Sequence, residues 1–266
     1  MTAEIVERVL RSSRYRDVDR TLLDRLAGEE LPRARNADDA VKRVKRRLHQ
    51  VVGAFRGEAR ADALREIRAA WNGDLADPPF RARVSDLLAT HASTRERVSH
   101  LDSFYSGIGE HTGVPSRLLD IGCGLGPLAL PWMGIGDATY LATDVDRRPL
   151  ETVQAFLELV GQACEVRTHD AVAGAPAEGA DVALLLKLVP TLDRQDPRAA
   201  TRLLRSLRVR HAVVSFPARS LGGRGKGMER TYRERLERLI TDAGRISAMA
   251  EASVPNELVF VLTLDG

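Results

Sequence analysis

Leu118-Leu119-Asp120-Ile121-Gly122-Cys123-Gly124-Leu125-Gly126-Pro127 is the stretch whose reading decides the fold of this chain. Apolar residues lead into Asp120, and glycine then follows at every second position, Gly122, Gly124 and Gly126. The pattern describes a buried strand ending in a glycine-rich turn, where missing side chains let a ligand lie against the backbone. Further along, a second strand-like run, Ala138-Thr139-Tyr140-Leu141-Ala142-Thr143-Asp144, ends in a carboxylate. An acidic residue at that distance suits the paired hydroxyls of a bound ribose.

The glycine pattern alone fits dinucleotide-binding folds, S-adenosylmethionine (SAM) methyltransferases, or a turn that binds nothing. Two features favour SAM. The turn is compressed to Gly-x-Gly-x-Gly, and Asp120 stands just before it. A carboxylate there would repel a pyrophosphate and attract a methionine ammonium.

Towards the C-terminus, the period is that of strands alternating with helices. Strands are predicted over residues 117–121, 140–143, 164–168, 182–188 and 211–216, with a closing pair over 246–254 and 258–264. Helices are predicted after Pro127 and over residues 148–160 and 198–207. This alternation predicts an α/β fold, a Rossmann-like methyltransferase domain over residues 106–266 with a mostly parallel seven-stranded sheet. A basic loop, Arg219-Ser220-Leu221-Gly222-Gly223-Arg224-Gly225-Lys226-Gly227, stands out, followed by Arg230, Arg233 and Arg235.

Towards the N-terminus, residues 1–105 show helical periods and no convincing strand, and predict a small all-helical domain. Helices are expected over 3–12 and 19–27. Leu31-Pro32 breaks the chain and Asn36 caps the next helix. There Val41, Val44, Leu48, Val51 and Phe55 form one apolar stripe, with Lys42, Arg43, Arg46 and Arg47 opposite and Lys45 at the flank. Gly57 is expected to end it, with further helices over 58–71 and from Pro78-Pro79 towards His91. The basic face is read equally as solvated surface or as a surface for a polyanion.

The net charge of +3 is unevenly spread: residues 1–100 carry 21 Lys and Arg against 16 Asp and Glu, and the remainder 19 against 21. The basic excess therefore lies outside the expected cofactor domain, which suggests that the N-terminal part meets a polyanion. With 44% hydrophobic and 29% charged residues, the composition is that of a soluble globular protein. No apolar run approaches the ~20 residues that span a bilayer, and the N-terminus lacks a signal-peptide pattern. The only cysteines, Cys123 and Cys164, are too few for a disulfide framework. The expectation is a cytoplasmic protein.

Ligands of open α/β sheets bind beyond the carboxyl ends of the strands, which here carry Gly122, Asp144, Asp170 and Leu186-Lys187. Asp170 reads equally as an acceptor for an adenine amino group or as a helix cap. His91-Ala92-Ser93-Thr94-Arg95-Glu96-Arg97 reads as a helix start, or as the source of an arginine for the SAM carboxylate. After the fourth strand, Lys187-Leu188-Val189-Pro190-Thr191 has neither the Asn/Asp-Pro-Pro-aromatic turn of amine methyltransferases nor a Pro-Cys nucleophile. Cys123 is read as a packing residue. What remains is an acceptor needing neither base nor nucleophilic catalyst, guanine N7 being the leading case. Catalysis would then be positioning alone, without a metal. Lys187 is a candidate for orienting the target nucleotide, or is an ordinary surface lysine.

Residues 91–97, 120–133, 184–187 and the segments around Ser215-Phe216-Pro217, Ser220-Leu221-Gly222 and Lys226-Gly227-Met228 closely resemble the aminoglycoside-resistance 16S rRNA methyltransferases. These modify N7 of guanine 1405. The resemblance spans nearly the whole chain. It implies action on the 30S subunit, with the helical domain docking on rRNA, and resistance to 4,6-disubstituted deoxystreptamines. It implies a cofactor site of Phe55, His91 to Arg97, Gly122, Asp144, Asp170, Ala171, Leu186 and Gln195, with Arg97 on the methionine carboxylate. It also implies an rRNA surface of Lys42, Arg43, Arg46, Arg47, Lys187, Arg219, Arg224, Lys226, Met228 and Arg230. Gly126, Thr191 and Glu229 depart from the family pattern at positions flanking the site. Competing readings are a small-molecule SAM methyltransferase in an antibiotic pathway and a non-enzymatic rRNA-binding factor that has kept the fold.

Overall fold

The computed structural model describes residues 1–53, 62–217 and 226–265. Three N-terminal helices come first: α1 (Thr2–Leu10), α2 (Arg20–Glu30) and α3 (Ala37–Leu48). Side-chain oxygens satisfy the open N–H groups at two of their starts. Asp19 accepts from Leu22 N at 3.1 Å and Asn36 from Asp39 N at 2.9 Å. The apolar faces meet in a core of Ile5, Val9, Leu22, Leu26, Val44 and Leu48. After α3 the chain continues as a π-helical turn, His49–Gly53. The expected helix end at Gly57 lies outside the described residues.

Next come α4 (Ala63–Ala70), α5 (Pro78–Leu88), the single turn α6 (Ala92–Arg95) and α7 (Leu101–Thr112). Their buried residues do not join the first core. Ile67, Phe80, Leu88 and Phe104 pack in one cluster with the sheet residues Leu118, Tyr140, Leu184 and Val213. The boundary expected near residue 105 falls inside α7, whose Leu101, Phe104, Tyr105 and Ile108 are buried in that cluster. Helical periodicity marks an element but not the surface it packs on, so α4 to α7 read as part of a helical domain although they cover the sheet.

The sheet has seven strands: β1 (Arg117–Ile121), β2 (Thr139–Asp144), β3 (Cys164–Thr168), β4 (Ala180–Leu186), β5 (Val209–Pro217), β6 (Ile246–Ala252) and β7 (Glu257–Leu264). Their order is β3-β2-β1-β4-β5-β7-β6, with β7 antiparallel to both its neighbours. Along β1, side chains alternate between two cores. Leu118 joins the α4 to α7 side, while Leu119 and Ile121 face Leu203 and Leu204 on the other. Between the strands lie α8 (Leu130–Met133), α9 (Arg147–Leu159), α10 (Val189–Asp193) and α11 (Ala199–Ser206).

Two expectations change. The fourth strand stops at Leu186, because Lys187 adopts φ 57° and turns the chain into α10. The basic run read as a loop is helical from Lys226, where α12 (Lys226–Ala243) begins. Arg233 and Arg235 lie on this helix and pair with Glu251 and Asp193 at 2.6 and 2.7 Å. Because β3, β2, β1, β4 and β5 run parallel, their C-terminal ends share one edge of the sheet.

Candidate active site

At that edge lies a cavity of about 540 Å³. Its floor is the turn after β1, where Gly122 N and Cys123 N both donate to Thr143 O, at 2.8 and 3.0 Å. Gly122 and Gly124 have φ of 68° and 53°, which disfavours any side chain. Space is tight as well, although at Gly122 only the end of a flexible leucine side chain would have to shift. A Cβ on Gly122 would lie 2.8 Å from Leu188 Cδ1, and one on Gly124 2.9 Å from His91 Cε1. Both glycines line the cavity, as do Leu125 and His91.

Asp144, at the end of β2, is held from both sides. Gly124 N donates to its Oδ2 at 2.9 Å and Asp146 N to its Oδ1 at 3.0 Å. Burial pushes this carboxyl upward, and those two N–H groups oppose the shift. The carboxylate is thus oriented before any ligand arrives, with lone pairs left over for hydroxyl donors. Asp170, just beyond β3, also lines the cavity. Its Oδ1 accepts from Val172 N at 3.1 Å and its Oδ2 from Arg25 Nε at 2.7 Å. Ala171, Leu186 and Gln195 complete this side.

Asp120 behaves differently from the sequence reading. It does not line the cavity but lies buried beneath the turn, where Tyr140 donates to its Oδ2 at 2.9 Å. Burial pushes its carboxyl up to about 7, against the pull of Tyr140 and Arg97. Its Oδ2 also lies 3.1 Å from where a Cβ on Gly126 would stand, so the carboxyl crowds that glycine from beneath.

The segment from His91 to Arg97 divides. His91 and Ser93 line the cavity, and His91 Nδ1 lies 2.7 Å from Ser93 Oγ. Burial drives the imidazole down to about 4, so it is neutral at physiological pH. Thr94 is buried, and its hydroxyl donates to Leu88 O. Ala92 is half-buried and Arg95 exposed, both away from the cavity lining. Arg97, expected on a cofactor carboxylate, pairs here with a carboxylate of the chain itself. Only 3% exposed, it forks onto Glu257, with Nε 2.7 Å from Oε2, and its guanidinium lies 4.6 Å from the Phe104 ring centre. Among the described residues, the cations that line the cavity are Lys187 and Arg148. Lys187 Nζ donates to Glu96 Oε2 at 2.5 Å and Ser93 O at 3.4 Å. Arg148 Nε donates to Asp17 at 2.6 Å.

The proposed rRNA residues divide as well. Lys42 and Arg46 are exposed. Arg43 and Arg47 are not a free basic face: they donate to Glu30 at 2.7 and 3.0 Å. Met228 is half-buried, and Arg230 is exposed with Glu234 3.6 Å away. Phe55, Arg219, Arg224 and the Lys226 side chain lie outside the described residues.

The sequence reading missed Val51, Val52, Arg148, Thr152 and Leu192 of the lining, and Arg25 behind it. Val51 was readable as apolar but only as core. Nothing in the local sequence distinguishes Arg25 from a solvated helix arginine.

The mostly parallel sheet, the glycine turn and the carboxylates at the end of β2 and just beyond β3 together define a Rossmann-like SAM-dependent methyltransferase. The family model described as ribosomal RNA methyltransferase (FmrO) matches residues 11–261, and the chain belongs to this family. It is 40% identical over 262 residues to the 16S rRNA (guanine(1405)-N(7))-methyltransferase of Frankia casuarinae, covering 96% of this chain and 91% of that protein. To the enzyme of the same name from Micromonospora echinospora it is 37% identical, covering 97% and 95%. The crystal structure of the 16S rRNA methyltransferase RmtF with S-adenosyl-L-homocysteine superposes with a TM-score of 0.80 at 33% identity, covering 99% of this chain and 98% of that one. The 16S rRNA methylase RmtB gives 0.78 at 27% identity, covering 100% and 99%.

Proposed function

We propose that this protein methylates N7 of guanine 1405 in 16S rRNA, using SAM, within the 30S subunit. The observation that carries the reading is the cavity: a cradle that a Cβ at Gly122 or Gly124 would fill, flanked by a carboxylate fixed by two backbone N–H groups. These features fit a nucleoside. Asp144 would accept from the ribose hydroxyls, Asp170 from the adenine amino group, and the backbone at Gly122 and Gly124 would face the methionyl portion. SAM held there would supply an electrophilic methyl group, its S–CH3 bond breaking to leave S-adenosylhomocysteine, and guanine N7 would accept the methyl through its lone pair without releasing a proton.

The lining residues suit a reaction without proton transfer. His91 is neutral but held against Ser93 and the glycine turn, so it acts as a wall. Lys187, tethered to Glu96 and Ser93 O, stands where it could steady the target nucleotide's phosphate or O6. The catalytic contribution is orientation, which excludes misaligned approach and lowers the entropy cost of reaction. The exposed Lys42 and Arg46, with Arg230, would meet the rRNA backbone.

Residues 1–105 were expected to form the docking domain and 106–266 the methyltransferase domain. We draw the docking unit more tightly, around the separate core of Ile5 to Val52. Modification at guanine 1405 would confer resistance to 4,6-disubstituted deoxystreptamines and would take place in the cytoplasm, where 30S subunits are. Among the described residues, no helix is long and apolar enough to cross a membrane.

The test is methyl transfer from labelled SAM to 30S subunits and to free 16S rRNA, mapped by borohydride and aniline cleavage at 7-methylguanine. A single cleavage at guanine 1405, on 30S subunits only, is the expected result. No incorporation into either RNA, with SAM bound, would favour a small-molecule methyltransferase instead.

A further inference from the structure

The cofactor cavity is not built by the sheet domain alone. Arg25, on α2, reaches across to the sheet edge and divides its guanidinium among three acceptors. Nε donates to Asp170 Oδ2 at 2.7 Å, Nη2 to Gln195 Oε1 at 2.9 Å, and Nη1 to Glu29 Oε1 at 3.0 Å. Arg47 on α3 adds a longer contact to Gln195 O at 3.5 Å. Asp170 and Gln195 both line the cavity, whereas Arg25 stands behind them.

The same N-terminal segment braces the turn that carries Asp144. Asp19 N donates to Val145 O at 2.8 Å and Arg147 N to Asp17 O at 2.9 Å. Asp17 also receives Arg148 Nε at 2.6 Å. Val51 and Val52, from the end of the N-terminal core, line the cavity directly.

A planar guanidinium with donors on a rigid fork holds two acceptors in fixed relation; an ammonium on a flexible stem does not. Asp170 is a short side chain with one oxygen tied to the backbone at Val172. The Arg25 bond ties the other oxygen and so sets the carboxylate plane. Gln195 is turned by the same group, which takes its carbonyl oxygen and leaves its amide to donate to Thr191 O at 3.4 Å.

We infer that Arg25 is a positioning residue of the cofactor pocket, through which the N-terminal helices set the geometry of Asp170, the proposed adenine reader, and of Gln195 beside it. The inference rests on the reading of the cavity as a SAM site. It gives the N-terminal unit a second role besides meeting rRNA.

The test uses the full chain and calorimetric titration with S-adenosylhomocysteine and S-inosylhomocysteine, which differ in the base that Asp170 would read. Wild type should prefer the adenosyl compound. Arg25→Ala should bind it weaker by on the order of tenfold and lose most of that preference, while affinity for the inosyl compound changes little. Arg25→Lys keeps the charge without the fork and should recover the preference only in part. In an Asp170→Asn background, adding Arg25→Ala should change the preference no further. An Arg25→Ala or Arg25→Lys protein that keeps the wild-type preference, or weakens for both compounds alike, would overturn the inference. Failure of wild type to bind either compound would overturn the cofactor reading itself, and this inference with it.

Discussion

Asp120 is the residue whose environment most changes its chemistry. A carboxylic acid that is ionised in an unfolded chain above its ordinary value of 3.8 is held up to about 7 in the fold, because burial withdraws water from it. Between those values the folded chain keeps the proton and the unfolded chain has released it. Stability contributed at this site therefore falls as pH rises from about 4 to about 7, and levels off beyond. Asp120→Asn removes the titration and leaves an oxygen for the Tyr140 hydroxyl. We expect the variant to gain on wild type across that window, measured as the difference in urea midpoint at pH 5 and pH 8. His91 titrates in both proteins, its folded value lowered to about 4, so its opposite trend cancels in the difference. A difference independent of pH would mean that Asp120 is ionised throughout. Arg97 shows the same dependence on distant partners. Its pairing with Glu257 joins residues at opposite ends of the described sheet domain, and no local pattern announces it.

At the scale of elements, α3 distinguishes cations that a helical wheel places together. Glu30 is buried and receives both Arg43 and Arg47. These two arginines compensate a carboxylate that would otherwise be costly to bury. Lys42 and Arg46 are the exposed cations of the element, with Lys45 half-buried at its flank. We expect Lys42→Glu with Arg46→Glu to weaken 30S binding and flatten its dependence on salt, with little change in stability. Arg43→Glu should instead destabilise the fold by about 3 kcal/mol, since it leaves a like charge beside Glu30. Binding assays across a salt series, paired with thermal melts, separate the two. An unaltered salt slope in the double variant would make α3 an ordinary solvated helix. The same sorting applies to α12, where Arg233 and Arg235 are spent on Glu251 and Asp193.

Across the whole molecule, one small core of Ile5 to Val52 leans on a larger two-faced sheet, and the cofactor cavity takes residues from both. Leu26 is fully buried in the small core. Leu26→Ala should cost about 2–5 kcal/mol there and, by hydrogen exchange, unprotect α1 to α3 while leaving β1 and β2 protected. Equal loss of protection in both would mean that the two cores unfold as one. Local patterning determined much of this architecture. Glycine spacing after β1 and the carboxylate ending β2 are properties of short segments, so the sheet, its cofactor edge and the cavity positions of Gly122, Asp144, Asp170 and Leu186 were legible in the sequence. The cap at Asn36 was legible for the same reason, since the donor it satisfies is three residues away. Only the tertiary structure decided which core α4 to α7 join, that Asp120 sits beneath the turn, and that Arg97 turns to Glu257. It alone brought Arg25 to Asp170 across the molecule. Those outcomes depend on side chains from distant segments competing for the same buried partners, and the order of residues along the chain does not encode who wins until the segments are packed.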